Sequence, residues 1–212
     1  MAICSDLKKA IEDVKINFVP VRDLETNEIY GYKVIKEFPE DMALEKEEIY
    51  DWVYDENFFE FFISKIKDKA LKIARERGYL DKKFFYTLRV NYIKDSDFLF
   101  SNIESMLNKY QLSKENICFE IKGFKDWSDV EEILDYVEEG YEILIKEGNQ
   151  SLDRNLLSLI EPHMVEVSSL ENRELIETTK SYGGKIIYKI KENEKIDEKN
   201  LREVGVDLIY KK

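Results

Sequence analysis

From Phe84 to the end of the chain, short β-type runs alternate with helical stretches, and this alternation restricts the fold more than any other feature. FFYTLRV precedes a helical stretch at Asp97–Tyr110, ICFEI one at Asp126–Glu139, and YEILI a leucine-rich one near Leu152–Ile160. MVEV then precedes Leu170–Tyr182, KIIYKI precedes Ile196–Val204, and VDLIY closes the chain. Strands joined by helical crossovers predict a parallel sheet. Upstream, Ile16–Val21 and Ile29–Lys36 flank Asp23, Glu25, Thr26 and Asn27, residues that favour a tight turn, so the chain opens with a hairpin. The hairpin plus six crossover strands equals the strand count of a closed (β/α)8 barrel. An open doubly wound sheet is the alternative, but the first strand-to-helix turn has no G-x-G-x-x-G fingerprint. A long helix is expected from about Glu56 to Gly78, where Phe58, Phe62, Ile66, Ala70 and Ile73 recur every three to four positions.

A chain of 212 residues supports one sizeable core, so one domain over residues 1–212 is expected. Aromatic residues at 13% and no long apolar run argue for a globular protein rather than a disordered or membrane-spanning one. The amino terminus reads as a short amphipathic helix without the apolar stretch of a secretory signal. Cys4 and Cys118 are far apart and have no second cysteine or histidine at ligand spacing, so neither a disulfide nor a zinc site is expected. The cytoplasm is the expected compartment. With 33 basic and 45 acidic side chains, the net charge of −12 opposes a nucleic-acid role.

With the strands placed, the order of segments resembles the EAL domain, the cyclic di-GMP phosphodiesterase of bacterial signalling. FVPVRDLETNEIYGYKVIKE at Phe18–Glu37 is similar to that family's opening hairpin, with Pro20, Asp23, Leu24 and Gly31 matching. LRVNYI places Asn91 at a family asparagine, and ICFEIKG places Glu120 at the first glutamate of E-x-x-E. GYEILIKEG, PHMVEVS and GVDLIY follow in the family's order. The resemblance implies a (β/α)8 barrel of the EAL type with an opening antiparallel hairpin. The chain stops at Lys212, before the helix that usually closes this barrel, which leaves the last wall open or borrowed.

The same resemblance implies a two-metal phosphodiester hydrolysis, in which carboxylates at strand ends hold divalent cations. Several of those positions have changed here. Lys33 stands at the signature glutamate, Lys146 at the first aspartate of the D-D pair, and Lys189 at a later glutamate. Glu147 keeps an acidic side chain, but Gly123 and Ser168 replace two further ligands, and Glu166 replaces a lysine. The family's arginine, suited to phosphate, becomes Glu37. Seven positions, Lys33, Asn91, Glu120, Lys146, Glu147, Glu166 and Lys189, therefore read as vestiges of a site, with no catalytic residue, metal or cofactor expected. Unpaired burial of these charges would be costly, and the lysines are expected either to compensate the glutamates or to point into water.

His163, the only histidine, offers little for a catalytic triad, and Cys118 reads as a small core residue. The run Tyr50, Trp52, Tyr54, Phe58, Phe59, Phe61 and Phe62 holds more aromatics than one helix face can bury, which makes part of it a candidate partner or dimer surface. The expected function is that of an inactive EAL-like regulatory domain acting on another signalling protein. A non-hydrolysing nucleotide receptor and an enzyme with altered acid–base or metal chemistry are the alternatives.

Overall fold

The computed structural model of this protein describes residues 2–42, 44–123, 134–146 and 154–211. Residue contacts group the chain into two compact units: Met1–Phe18 with Val34–Asp81 and Asn91–Ser113, and Val19–Lys33 with Lys82–Val90 and Lys114–Lys212.

The first unit is built mainly from four helices, α1 (Ala2–Glu12), α2 (Lys46–Asp55), α3 (Phe59–Glu76) and α4 (Ser96–Tyr110). The helix expected from about Glu56 to Gly78 forms as α3, and a further helix, α2, precedes it. Helix α2 starts at a capping box in which the Glu48 carboxylate accepts the Glu45 N–H at 2.7 Å, and its sequence KEEIYDWVYD mixes charge with aromatics enough to hide its period. It stops where Asn57 takes a left-handed conformation, at φ 57. Phe59, Phe62, Ile63, Ile66 and Ala70 form the buried stripe of α3. Gly78, at φ +71, follows two residues after that helix ends, as expected of a stop signal. The Asp95 carboxylate accepts the Phe98 N–H at 2.8 Å and starts α4.

The second unit holds the barrel. Its strands are β1 (Lys15–Asp23), β2 (Ile29–Glu37), β3 (Lys83–Arg89), β4 (Ile117–Lys122), β5 (Glu142–Lys146), β6 (Met164–Val167), β7 (Lys185–Ile190) and β8 (Leu208–Lys211), in that order around a closed barrel. The residues of β1 and β2 outside Val19–Lys33 fall in the first unit. At the hairpin turn the Asp23 carboxylate accepts the N–H groups of Glu25 and Thr26 at 2.8 and 2.9 Å, while Asn27 supplies a positive φ of 61. Neighbours from β2 to β8 pair in parallel. The last wall, left open or borrowed by the sequence reading, is closed from within the chain: β8 pairs antiparallel with β1, Val21 opposite Tyr210 and Asp23 opposite Leu208.

Crossover helices α5 (Arg154–Ile160), α6 (Arg173–Ser181) and α7 (Glu198–Val204) cover part of the outside. Strand alternation sorts the core into two sets. Val165, Ile186 and Ile209 pack with the helix residues Leu157, Ile176 and Leu201, so they face outward. Phe85, Cys118, Leu144, Met164, Ile187 and Leu208 pack with one another, so they fill the barrel. Burying strands on both faces explains why MVEV and KIIYKI read as nearly continuous apolar runs. Among the described residues, no helix is long and apolar enough to cross a membrane.

Candidate functional site

Two residues beyond the inward apolar layer, each parallel strand presents its next inward position. Stepping from Phe85, Cys118, Leu144, Met164, Ile187 and Leu208 reaches Thr87, Glu120, Lys146, Glu166, Lys189 and Tyr210. Lys33 of β2 starts level with Phe85, its register partner, and its ammonium joins the polar layer through Glu120 and Glu166. The polar layer therefore lies toward the carboxyl ends of the strands, the end where barrel folds carry their sites.

Lys33 is the centre of this layer and is only 2% exposed. Its Nζ donates to Glu120 Oε2 at 2.7 Å and also to Glu166 Oε2. It sits 4.5 Å from the centroid of the Tyr210 ring, close enough for a cation–π contact. Lys146, about a third exposed, completes a four-charge cluster, with its Nζ 2.9 Å from Glu120 Oε1 and 3.4 Å from Glu166 Oε1. Register explains the geometry, since Lys146 lies directly across from Glu166. The Tyr210 hydroxyl donates to Glu166 Oε1 at 2.8 Å, and the Thr87 hydroxyl to Glu120 Oε1 at 3.3 Å. All four carboxylate oxygens thus pair with a lysine ammonium, and two also accept from a hydroxyl.

The electrostatics follow from this packing. Burial works to raise the Glu120 carboxyl, but Lys33 and Lys146 outweigh it and hold its pKa down to about 2. Burial likewise opposes the Lys33 charge, yet Glu120 and Glu166 raise its ammonium above the ordinary lysine value. Burial and the adjacent Glu166 push the Tyr210 phenol upward, so the hydroxyl stays a donor. Two ammonium groups and two carboxylates give a locally neutral cluster.

Of the seven residues singled out from the sequence, four converge: Lys33, Glu120, Lys146 and Glu166. Lys189 shares their inward face but is half-buried and forms no ion pair among the described residues. Asn91 lies just after β3 in the other compact unit, and its buried Oδ1 accepts no hydrogen bond. Glu147 lies outside the described residues. Tyr210 and Thr87 were not singled out. The inward position of Tyr210, two residues past Leu208 on the same strand, is the signal in the sequence that marks it.

The metals implied by the resemblance can be tested against these donors. Among the described residues no group of three Asp, Glu, His or Cys side chains could hold a metal ion. Glu120 and Glu166 are the two carboxylates that do converge, and a buried ammonium already lies between them. A divalent cation there would have to displace Lys33 or bear its repulsion in a site of low dielectric. The described residues do not fit a metal. Elsewhere, Cys118 is fully buried inside the barrel, where loss of solvation pushes its thiol well up and leaves it inert. His163 is exposed, its Nδ1 accepts the Ile143 N–H at 3.4 Å, and partial desolvation lowers its pKa.

An eight-stranded parallel barrel whose first strand runs antiparallel, with a charged layer toward the carboxyl ends of its strands, defines the class. The particular fold within it is that of the EAL domain. The chain is similar to the PaMucR phosphodiesterase in complex with c-di-GMP, with TM-score 0.76 at 12% identity, covering 100% of this chain and 95% of that one. It is similar to a standalone EAL protein from Vibrio cholerae O395 in its c-di-GMP-bound form, with TM-score 0.74 at 20% identity, covering 94% and 90%. It is also similar to the EAL enzyme Bd1971 in its cAMP-bound form, with TM-score 0.74 at 15% identity, where 99% of this chain spans 64% of that one. No family model and no curated protein sequence matches the chain.

Proposed function

We propose that this chain is a non-hydrolysing EAL-like domain that regulates by contacting another signalling or regulatory protein. The observation that carries the reading is the engagement of every oxygen of Glu120 and Glu166 by Lys33, Lys146, Thr87 and Tyr210. Two-metal hydrolysis needs carboxylates free to hold cations that activate water and steady the phosphoryl oxygens. Here Glu120, at a position where the resemblance expects a metal-holding glutamate, is neutralised internally together with Glu166. An altered acid–base enzyme is disfavoured as well, because a general acid or base works best with a pKa near the operating pH and Glu120 is held near 2.

A second reading is favoured by one specific observation. Lys189 lies on the inward face without an ion-pair partner among the described residues, and Lys146, one strand beyond Glu166 in the same layer, is partly exposed. Together they offer positive charge to a phosphate, which fits a receptor that holds a cyclic dinucleotide without cleaving it. The solved PaMucR and Vibrio cholerae structures are c-di-GMP complexes.

Incubation of the protein with cyclic di-GMP and Mn²⁺ or Mg²⁺, followed by chromatography for linear dinucleotide, tests the leading reading. No product above a protein-free control is expected, and metal-dependent turnover would overturn it. A thermal unfolding scan with the same nucleotide separates the two readings. An upward shift of RT ln(1 + [L]/Kd) in stability marks a receptor, and no shift at ligand concentrations far above micromolar leaves the interaction domain.

A further inference from the structure

The helical unit carries an apolar surface that its own packing leaves uncovered. Tyr50, Phe59 and Phe62 of the aromatic run are buried, and their rings lie 6.0–6.2 Å from centroid to centroid across Tyr50. Phe58 and Phe61 are not: they are 48% and 47% exposed, and their rings touch edge to face at 6.4 Å. Phe98, at 49%, belongs to the first turn of α4.

These three phenylalanines lie at one end of a helix pair. The Lys94 ammonium, just before α4, donates to Tyr54 O at 2.6 Å and Asn57 Oδ1 at 2.9 Å, and its backbone N–H donates to Glu60 Oε1 at 3.1 Å. The start of α4 is thereby tied to the start of α3. Farther along, Lys109 pairs with Asp68 at 2.6 Å and Arg75 donates to Lys109 O at 2.9 Å, so the two helices run side by side in the same direction.

The rim of this patch is acidic. Asp51, Asp55, Glu56, Asp95 and Asp97 are all exposed along the same segments. The only ammonium groups of residues 51–65 and 94–98 are Lys65, held 5.1 Å above the Phe61 ring, and Lys94, spent on Tyr54 and Asn57. This charge selects among occupants. A nucleic acid or an anionic lipid surface would meet like charge. A second copy using the same face would bring carboxylates against carboxylates in a chain of net charge −12.

We infer that Phe58, Phe61 and Phe98 dock a basic segment of another protein, one that sets apolar side chains on the phenylalanines and lysine or arginine against the acidic rim. Aromatic anchors with a complementary charged rim match the general anatomy of protein interfaces. The inference deepens the interaction reading above and rests on it.

The test uses the full chain and a fluorescein-labelled amphipathic helical peptide of about 18 leucines and lysines, read by anisotropy at about 50 mM and about 300 mM salt. A leucine/glutamate peptide of the same pattern is the control. The expected result is saturable binding of the basic peptide, weakened by salt, and lost at least about tenfold in the Phe58→Ser/Phe61→Ser variant, with no binding of the acidic peptide. Both phenylalanines are exposed, and circular dichroism checks that the variant stays folded. Equal binding to the variant, equal binding of the acidic peptide, or no binding at all overturns the proposal. So does phenylalanine-dependent self-association in sedimentation, which would make the face a dimer contact. Turnover of cyclic di-GMP would overturn the non-hydrolysing reading separately, without changing the anisotropy result.

Discussion

The Lys33 ammonium lies 2.7 Å from Glu120 Oε2 inside the barrel, with the lysine side chain 3% and the glutamate side chain 8% exposed. The pair joins β2 to β4 across the intervening β3, and the contact of Lys33 with Glu166 extends the link to β6. One cation thus ties three strands of the sheet from the inside.

Removing that cation should be expensive. Lys33→Met leaves two buried carboxylates with only Lys146 for compensation, and a loss of about 3–5 kcal/mol is expected from urea unfolding. Lys146→Met should cost less, about 1–2 kcal/mol, because Lys146 is 29% exposed and water can replace part of its role. An effect within about 0.5 kcal/mol for both would show that the cluster contributes no more than surface charges do.

Stability should also fall in acid for a reason specific to this cluster. Glu120 is held at about 2 in the folded protein against an ordinary value of 4.5, so its contribution is present above about 4.5 and disappears as the pH drops toward 2. That shift corresponds to about 3 kcal/mol at neutral pH. Lys33 acts with the opposite sign: its raised pKa contributes stability that is full below 10.5 and is lost as the pH rises through the folded value. Denaturant midpoints measured from about pH 7 to about pH 2 should fall more shallowly for Glu120→Gln than for the unsubstituted protein. Parallel slopes would contradict the assignment.

Gly31 holds the seam on which Lys33 depends. A Cβ at this position would lie 2.4 Å from the Lys83 carbonyl oxygen and 3.0 Å from Phe85 Cε2, and the carbonyl belongs to the paired backbone of β3. Gly31→Ala must therefore push β2 from β3, and a loss of about 2–3 kcal/mol in urea unfolding is expected. A neutral substitution would show that the seam has slack.

Metal dependence should be obtainable by reversing the charges. Lys33→Glu with Lys146→Asp gathers carboxylates where ammonium groups now stand, so the variant should be less stable alone and regain stability with millimolar Mn²⁺. The unsubstituted protein should show no shift under the same conditions. Mn²⁺ binding by electron paramagnetic resonance gives a second readout should the double variant unfold, using Lys33→Glu alone. A Mn²⁺-induced rise in the melting temperature of the unsubstituted protein would overturn the account.

Much of the architecture was legible because strands and helices carry periods of their own. The runs ICFEI and KIIYKI coincide closely with β4 and β7, and the Asp23–Asn27 turn matches the hairpin. Helix α2 was not legible: its glutamates and aspartates gave no sustained apolar period, and the break at Asn57 depends on one left-handed residue. The aromatic surplus before Phe62 was visible as a count, but only the packing of α3 and α4 separates buried Phe59 and Phe62 from exposed Phe58, Phe61 and Phe98.

The sequence by itself determined the order of the eight strands, the long helix α3, and the presence of lysines where the EAL resemblance expects acids. Those are properties of neighbours along the chain. Tertiary structure decided that β8 returns to pair with β1, that Tyr210 donates to Glu166, and that Lys33 rather than Lys189 becomes the buried cation. Such choices join residues far apart in the chain, 133 positions for Lys33 and Glu166, and depend on strand register and the cost of leaving a charge unpaired in the interior. No local pattern of the chain encodes that cost.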